Sequence, residues 1–162
     1  MAETTTIERF RSAATAVAVG YPQGWHIADK ALPDYGYPEQ VFAASNVPIS
    51  VPASRRDVWD PDANEENYPR VTNLPASAAF VWMYRFTKPD GPTKYGRYAP
   101  PLRYADAEQI TEAGDARWPN LIQRELGFEQ GRFRFTIWVW EGHAVSERTR
   151  AGLEELIASI EV

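Results

Sequence analysis

The feature that most constrains the fold is a strand-like segment followed at once by an amphipathic helix, within residues 132–160. Apolar residues occupy every second position of residues 132–140, which is typical of a strand with one buried face. The predicted core-facing side chains are Phe133, Phe135, Ile137 and Val139. Arg134, Thr136, Trp138 and Trp140 fall on the opposite face.

After this strand, leucine and isoleucine recur at spacings of three, four and seven residues, which places them on one stripe of a helix. The stripe consists of Leu153, Leu156, Ile157 and Ile160. Ser146 is available as the N-cap, where its oxygen accepts from the first free amides. Because a helix with one apolar stripe packs onto a sheet, the unit predicts an α+β fold.

Shorter patterns predict the remaining elements. Strands are expected at residues 14–19, 25–28, 41–45 and 76–88, and a short polar helix at 105–113. Residues 121–128 and 132–140 form a predicted hairpin around Gly131. Residues 52–75 and 87–104 are rich in proline or glycine and predict long surface loops. With 162 residues and no internal linker, the chain is predicted to be a single domain, residues 1–162.

Composition narrows the classes of function. The chain has no cysteine, which excludes disulfides, thiolate metal sites and a cysteine nucleophile. A net charge of −5 argues against nucleic-acid binding, which needs clustered Lys and Arg. No apolar run is long enough to span a bilayer, and a cytoplasmic location is the expectation. No cofactor is predicted.

The chain offers few groups for catalysis. Of its two histidines, His26 follows Trp25 on a predicted strand and His143 lies beyond Glu141 in the turn before the helix. A hydrolase using either histidine, or a metal held by Glu141, His143 and His26, is a weaker alternative than structural or solvent-facing roles. The expectation is therefore a chain that is not an enzyme, with no catalytic residue and no metal site.

A calcium loop is a second metal hypothesis. Asp60, Asp62 and Asn64 alternate as the first ligands of such a loop do, but Glu65 and Val71 occupy the positions that need glycine and a bidentate glutamate. A solvated acidic segment is the preferred interpretation.

The loop at residues 87–104, the aromatic loop, is the best candidate for contact with a partner. Its tyrosines are interleaved with Lys94 and two arginines, and Tyr and Arg are enriched where interfaces bury their anchors. The alternative is that the tyrosines fold back over the sheet. Trp138 and Trp140 are likewise either core under a second layer or an exposed binding patch. The predicted partner-binding residues are Tyr95, Arg97, Tyr98, Arg103, Tyr104, Trp138 and Trp140.

Three segments together resemble the Mog1/PsbP-like fold, and also actinobacterial proteins with a similar turn and terminal strand and helix. They are Y-P-Q-G-W at residues 21–25, E-Q-G-R followed by F-R-F-T-I-W-V-W at 129–140, and the closing L-E-E-L-I-A-S-I helix at 153–160. The resemblance implies an antiparallel sheet flanked by helices, an α/β/α sandwich. It also implies members that act as binding partners, chaperones or accessory subunits.

Two functions from different classes follow as expectations. The first is a non-catalytic accessory, adaptor or chaperone-like domain that binds another protein through the aromatic loop and a sheet face. The alternative is a small-molecule or glycan binding module, in which stacked tyrosine and tryptophan rings line a cleft.

Overall fold

A six-stranded antiparallel sheet, with strand order β3-β4-β5-β8-β7-β6, forms the body of the molecule. The computed structural model describes residues 5–31, 38–49, 71 and 73–162. Its strands are β1 (Ile7–Arg11), β2 (Ala18–Pro22), β3 (His26–Ala28), β4 (Glu39–Ser45), β5 (Ala79–Thr87), β6 (Glu108–Gln109), β7 (Leu121–Gln130) and β8 (Phe133–Gly142), and the helix α1 spans Glu147–Ala158. Strands β1 and β2 form a separate two-stranded sheet.

The centre of the large sheet is built from its three longest strands, β5, β8 and β7. Strand β8 pairs with β5 from Glu141 opposite Ala79 to Phe133 opposite Thr87. The predicted hairpin of β7 and β8 is confirmed, and Gly131 takes a φ of 59° in its tight turn. Glycine adopts this left-handed conformation without the steric cost that a Cβ brings.

One side of the sheet, the helix face, carries the side chains predicted to be core. Phe135, Ile137 and Val139 are buried there against the apolar stripe of α1. The stripe residues Leu153, Leu156, Ile157 and Ile160 are each at most 1% exposed. Burial of such a side chain contributes about 1.5–3 kcal/mol, so this contact is a principal source of stability. Ser146 caps α1 by accepting from the Thr149 amide at 3.1 Å, as predicted.

The opposite side, the aromatic face, carries rings from β5 and β8. They are Phe80, Trp82, Tyr84, Phe86, Trp138 and Trp140. Most neighbouring rings lie in edge or tilted contact, for example Tyr84 with Trp138 at 5.1 Å and Trp82 with Trp138 at 5.5 Å between centroids, whereas Tyr84 and Phe86 are stacked. Trp118 packs edge-on against Trp140 and covers one end of this face. The aromatic face is therefore a second apolar core.

Several predicted elements differ from the observed ones. The first predicted strand lies later, as β2, and β1 was missed because three of its five residues are charged. The helix expected at residues 105–113 is wrong, since a 3-10 turn at Tyr104–Asp106 and the short β6 occupy that segment. Most of the predicted loop at 52–75 lies outside the described residues, including Asp60, Asp62, Asn64 and Glu65 of the calcium-loop hypothesis.

The chain is a single domain whose described residues form two antiparallel sheets and one α-helix. The prediction of a sheet with a packed helix is confirmed. The prediction of flanking helices on both faces is not confirmed. In the described part of the chain a helix packs on one face only, and coil residues cover the Trp140 end of the other face. No described helix combines the length and apolar character needed to cross a bilayer.

Candidate functional site

The aromatic loop lies against β7 at the outer part of the sheet and contacts both faces. A 3-10 turn at Lys94–Arg97 places the Tyr95 ring over Gly127 of β7, on the aromatic face. Tyr98 and Tyr104 instead pack against the core of the helix face. The alternative in which the tyrosines fold back onto the sheet thus describes all three rings, which are half-buried.

On the aromatic face the loop is held by the Tyr95 anchor, which consists of Tyr95, Glu125 and Trp138. The Tyr95 hydroxyl donates to Glu125 Oε1, and the Trp138 indole Nε1 donates to Glu125 Oε2 at 2.7 Å. The Glu125 side chain is 16% exposed, and the Lys94 ammonium lies 3.6 Å from it. Burial, and then the hydrogen bond to Glu125, raise the pKa of Tyr95 well above its usual range. The phenol therefore stays a hydrogen-bond donor at all ordinary pH values.

Stacking completes this anchor. The Arg134 guanidinium lies 3.9 Å from the centroid of Phe86 and 4.9 Å from that of Tyr95, so its charge contacts two ring faces. Gly127 is required below the Tyr95 ring. A Cβ there would lie 2.3 Å from the Phe135 carbonyl oxygen and 2.9 Å from Tyr95 Cδ1.

On the helix face the loop is held by the Tyr104 anchor, which consists of Tyr104, Glu141, Arg124 and Arg150. Tyr104 donates to Glu141 Oε2 at 2.5 Å, Arg150 donates to Oε1, and Arg124 lies 3.8 Å away. The Glu141 side chain is only 5% exposed, so its oxygens depend on these donors for hydrogen bonds that water cannot supply. Burial, and then the hydrogen bond to Glu141, raise the pKa of Tyr104 strongly. The four side chains border a cavity of about 190 Å³ between the loop, the sheet and α1.

A third hydroxyl holds the start of the turn. Thr93 donates to Glu129 of β7, and its oxygen also accepts from the Tyr95 amide at 3.3 Å. Lys88 lies 3.8 Å from the same carboxylate. The loop is thus attached through Thr93, Tyr95 and Tyr104 to carboxylates of β7 and β8.

The two arginines of the loop are not among the residues that attach it to the sheet. Arg97 and Arg103 are exposed, and the Arg97 guanidinium lies 5.2 Å from the centroid of the Tyr98 ring. Of the residues predicted on the sheet face, Trp138 is half-buried, whereas Trp140 is fully buried between Phe80 and Trp118. Trp140 is therefore core, the first of the two alternatives, and is withdrawn from the predicted binding surface.

Comparison of the chain with protein-family models, curated proteins and solved structures found no match. The Mog1/PsbP-like resemblance stays a prediction.

The two histidines lie on separate parts of the sheet. Both are exposed, His26 on β3 and His143 just after β8. Strands β4 and β5 separate β3 from β8, so the two strands are roughly 14 Å apart at about 4.8 Å per spacing. Glu141 binds Arg150 and Tyr104, and within the described ranges no cluster of three His, Asp or Glu residues could hold a metal. The metal site considered for Glu141, His143 and His26 does not form.

Sequence reasoning missed the carboxylates that hold the loop, Glu125, Glu129 and Glu141. A usable signal existed, since Glu125 and Glu129 fall at alternating positions of β7 on the same face as the Trp138 ring. A carboxylate on the apolar side of a strand needs a donor, and a neighbouring loop rich in Tyr and Thr can supply one.

Proposed function

We propose that this chain is a non-catalytic accessory, adaptor or chaperone-like domain that binds another protein through the aromatic loop. The observation that carries the proposal is the threefold attachment of the loop by Thr93, Tyr95 and Tyr104 to carboxylates of the sheet. A loop held in one conformation loses little conformational entropy when a partner binds. The attachment leaves Arg97 and Arg103 exposed for contact.

The composition of the exposed part supports protein binding. Arginine beside tyrosine is characteristic of interface hot spots, because both cover large areas and donate hydrogen bonds. Arg97 already stacks near Tyr98, so its guanidinium is pre-positioned. Arg103 directly precedes the Tyr104–Asp106 turn that is fixed through Glu141. In this proposal the sheet face supports the loop, with Trp138 holding Glu125, rather than contacting the partner.

Glycan binding receives less support. That function needs ring faces along a cleft. The cleft of about 720 Å³ beside the aromatic loop is lined by proline, glycine, threonine and charged residues, and no aromatic ring belongs to its described lining. A second cavity has Tyr95 and Tyr98 in its lining, but its volume of about 220 Å³ is below the ~300 Å³ at which ligand pockets typically begin, and the Tyr95 hydroxyl there is bound to Glu125. Protein binding is the better account of the loop.

The Mog1/PsbP-like fold is part of the proposal. It is supported by the order of β2, a turn and β3 near the start, and of β8 followed directly by α1 at the end. An accessory role is what this resemblance implies, on fold-level analogy. A cytoplasmic location also belongs to the proposal and rests on the sequence alone.

Affinity purification of the tagged full chain from its native cell, with cross-linking and mass spectrometry, tests the function. We expect a companion protein in near-equal amount, cross-linked beside residues 87–104. The double variant Arg97→Glu and Arg103→Glu should lose it, whereas Lys30→Glu, on exposed Lys30 after β3, should retain it. A companion that the double variant retains, or no companion at all, contradicts the proposal.

A further inference from the structure

A cleft opens between the first half of the aromatic loop and the turn that joins β7 to β8. Its volume is about 720 Å³. The loop contributes Lys88, Thr93 and Arg97, and the β7–β8 hairpin contributes Glu129 and Arg132. The cleft therefore joins the proposed binding loop to the end of the central hairpin.

The charge that this cleft presents to solvent is mainly positive. Lys88, Arg97 and Arg132 are exposed at its border. Of its two carboxylates, Glu129 is only 10% exposed on its side chain and already accepts from Thr93. Asp90 is thus the one exposed carboxylate among the described lining residues.

This local charge contrasts with that of the whole chain, which carries a net charge of −5. This contrast favours a small negatively charged group that contacts only the cleft. It disfavours a long polyanion, which would also have to lie along the acidic surface of the rest of the protein. Nucleic acid is the second kind, since it binds through many phosphates over a long surface. A short acidic protein segment is the first kind.

Two prolines limit the backbone freedom of the residues that line the cleft. Pro89 and Pro92 have fixed φ angles and lack an amide hydrogen. Gly96 lies close to Glu129, since a Cβ there would lie 3.2 Å from Glu129 Oε2. Thr93 in turn donates a hydrogen bond to Glu129.

We propose that the cleft receives an acidic segment of the partner protein, whose carboxylates pair with Lys88, Arg97 and Arg132. This inference rests on the proposed function and names the chemistry of the partner. The Lys88 ammonium forms an ion pair with Glu129 at 3.8 Å, which is longer than a hydrogen bond, and its side chain is 40% exposed to such a ligand.

Selection of random short peptides displayed on phage against the full chain tests the inference. We expect the enriched peptides to be rich in Asp and Glu. Their binding should weaken about tenfold in the double variant Lys88→Gln and Arg132→Gln, and should fall as salt is raised. Lys30→Gln is the control, since exposed Lys30 follows β3 and lies outside the cleft lining, and it should bind as the parent does. Unchanged circular dichroism and melting temperature verify that each variant is folded.

The outcomes separate this inference from the proposed function. Enriched peptides without acidic residues, or acidic peptides that the cleft variant binds equally well, overturn the inference while the function stands. So does displacement of the acidic peptide by a single-stranded oligonucleotide at equal concentration. A companion captured from cells together with no enriched peptide also overturns the inference alone. Failure of both capture and selection removes the function and the inference together.

Discussion

The two anchors of the aromatic loop use the same chemistry in different surroundings. In each, a tyrosine hydroxyl donates to a glutamate of the sheet, Tyr95 to Glu125 on the aromatic face and Tyr104 to Glu141 on the helix face. Glu125 is 16% exposed and is bound by an indole, with Lys94 nearby. Glu141 is 5% exposed and is bound by Arg150, with Arg124 nearby.

This difference separates two tasks within one loop. The Tyr104 anchor joins the loop, β7, β8 and α1, so its loss disturbs four elements at once. The Tyr95 anchor fixes the turn that carries Arg97 and borders the cleft. We therefore expect damage to the Tyr104 anchor to appear mainly as lost stability, and damage to the Tyr95 anchor mainly as lost binding.

The largest expected effect is that of Glu141→Ala. It leaves Tyr104 and two arginines without their acceptor and should lower the free energy of unfolding by about 3 kcal/mol, the low end for a broken buried ion pair because Arg150 is partly exposed. Glu125→Ala should cost about 1–2 kcal/mol. Urea denaturation measures both. Equal losses for the two variants would mean that burial does not distinguish the anchors.

Gly127→Ala should have the next largest effect. The added methyl meets the Phe135 carbonyl oxygen and the Tyr95 ring, so we expect a loss of about 2 kcal/mol and displacement of Tyr95. Trp138 fluorescence should change with it, since both side chains bind Glu125. Gly96→Ala is the comparison and should cost less, because its Cβ would lie 3.2 Å from a side-chain oxygen, Glu129 Oε2, rather than against backbone. If Gly127→Ala is as stable as the parent and its fluorescence is unchanged, the position of the Tyr95 ring does not depend on the missing Cβ at residue 127.

Removal of the hydroxyls alone gives a finer comparison. Tyr104→Phe should cost about 1.5 kcal/mol and Tyr95→Phe about 1 kcal/mol, as charge-assisted hydrogen bonds of unequal burial do. Tyr95→Phe should weaken capture of the companion protein more than Tyr104→Phe does. Thermal unfolding and quantitative pull-down measure the two effects, and a binding loss confined to Tyr104→Phe would reverse the assignment of tasks.

The last comparison concerns alkaline pH, whose effect is absent at neutral pH. Both phenols have a pKa raised above the ordinary value of 10.0, so the folded state retains protons that the unfolded state loses. The contribution of the two phenols to stability should be constant below pH ~10 and should fall above it, by at most about 1.4 kcal/mol per pH unit for Tyr104. Tyr95 is less buried, so its pKa rises less and its share of the decline ends at a lower pH. Urea midpoints between pH 9 and about 11 test this, and Tyr104→Phe and Tyr95→Phe should each flatten the decline.

The sequence predicted elements whose patterns are local. Alternation revealed β5 and β8, and the leucine spacing revealed α1, because each pattern reports burial of one continuous face. It could not show whether Trp140 was core, since that depends on Trp118 arriving from a distant turn. Nor could it show that Tyr95 and Tyr104 attach to opposite faces of one sheet. Such pairings join residues 30 and 37 positions apart, which no local pattern encodes.

The position of the aromatic loop beside β7 has a further consequence for solubility. Strand β6 pairs with β7 through Arg124 and Glu125, and the Lys94–Arg97 turn lies beside the following residues of that strand. Uncovered strand edges template pairing between chains and lead to aggregation. The aromatic loop, which is proposed to meet a partner on one side, thus covers part of the edge of β7 on its other side. Damage to the attachments of the loop should therefore favour self-association of the chain.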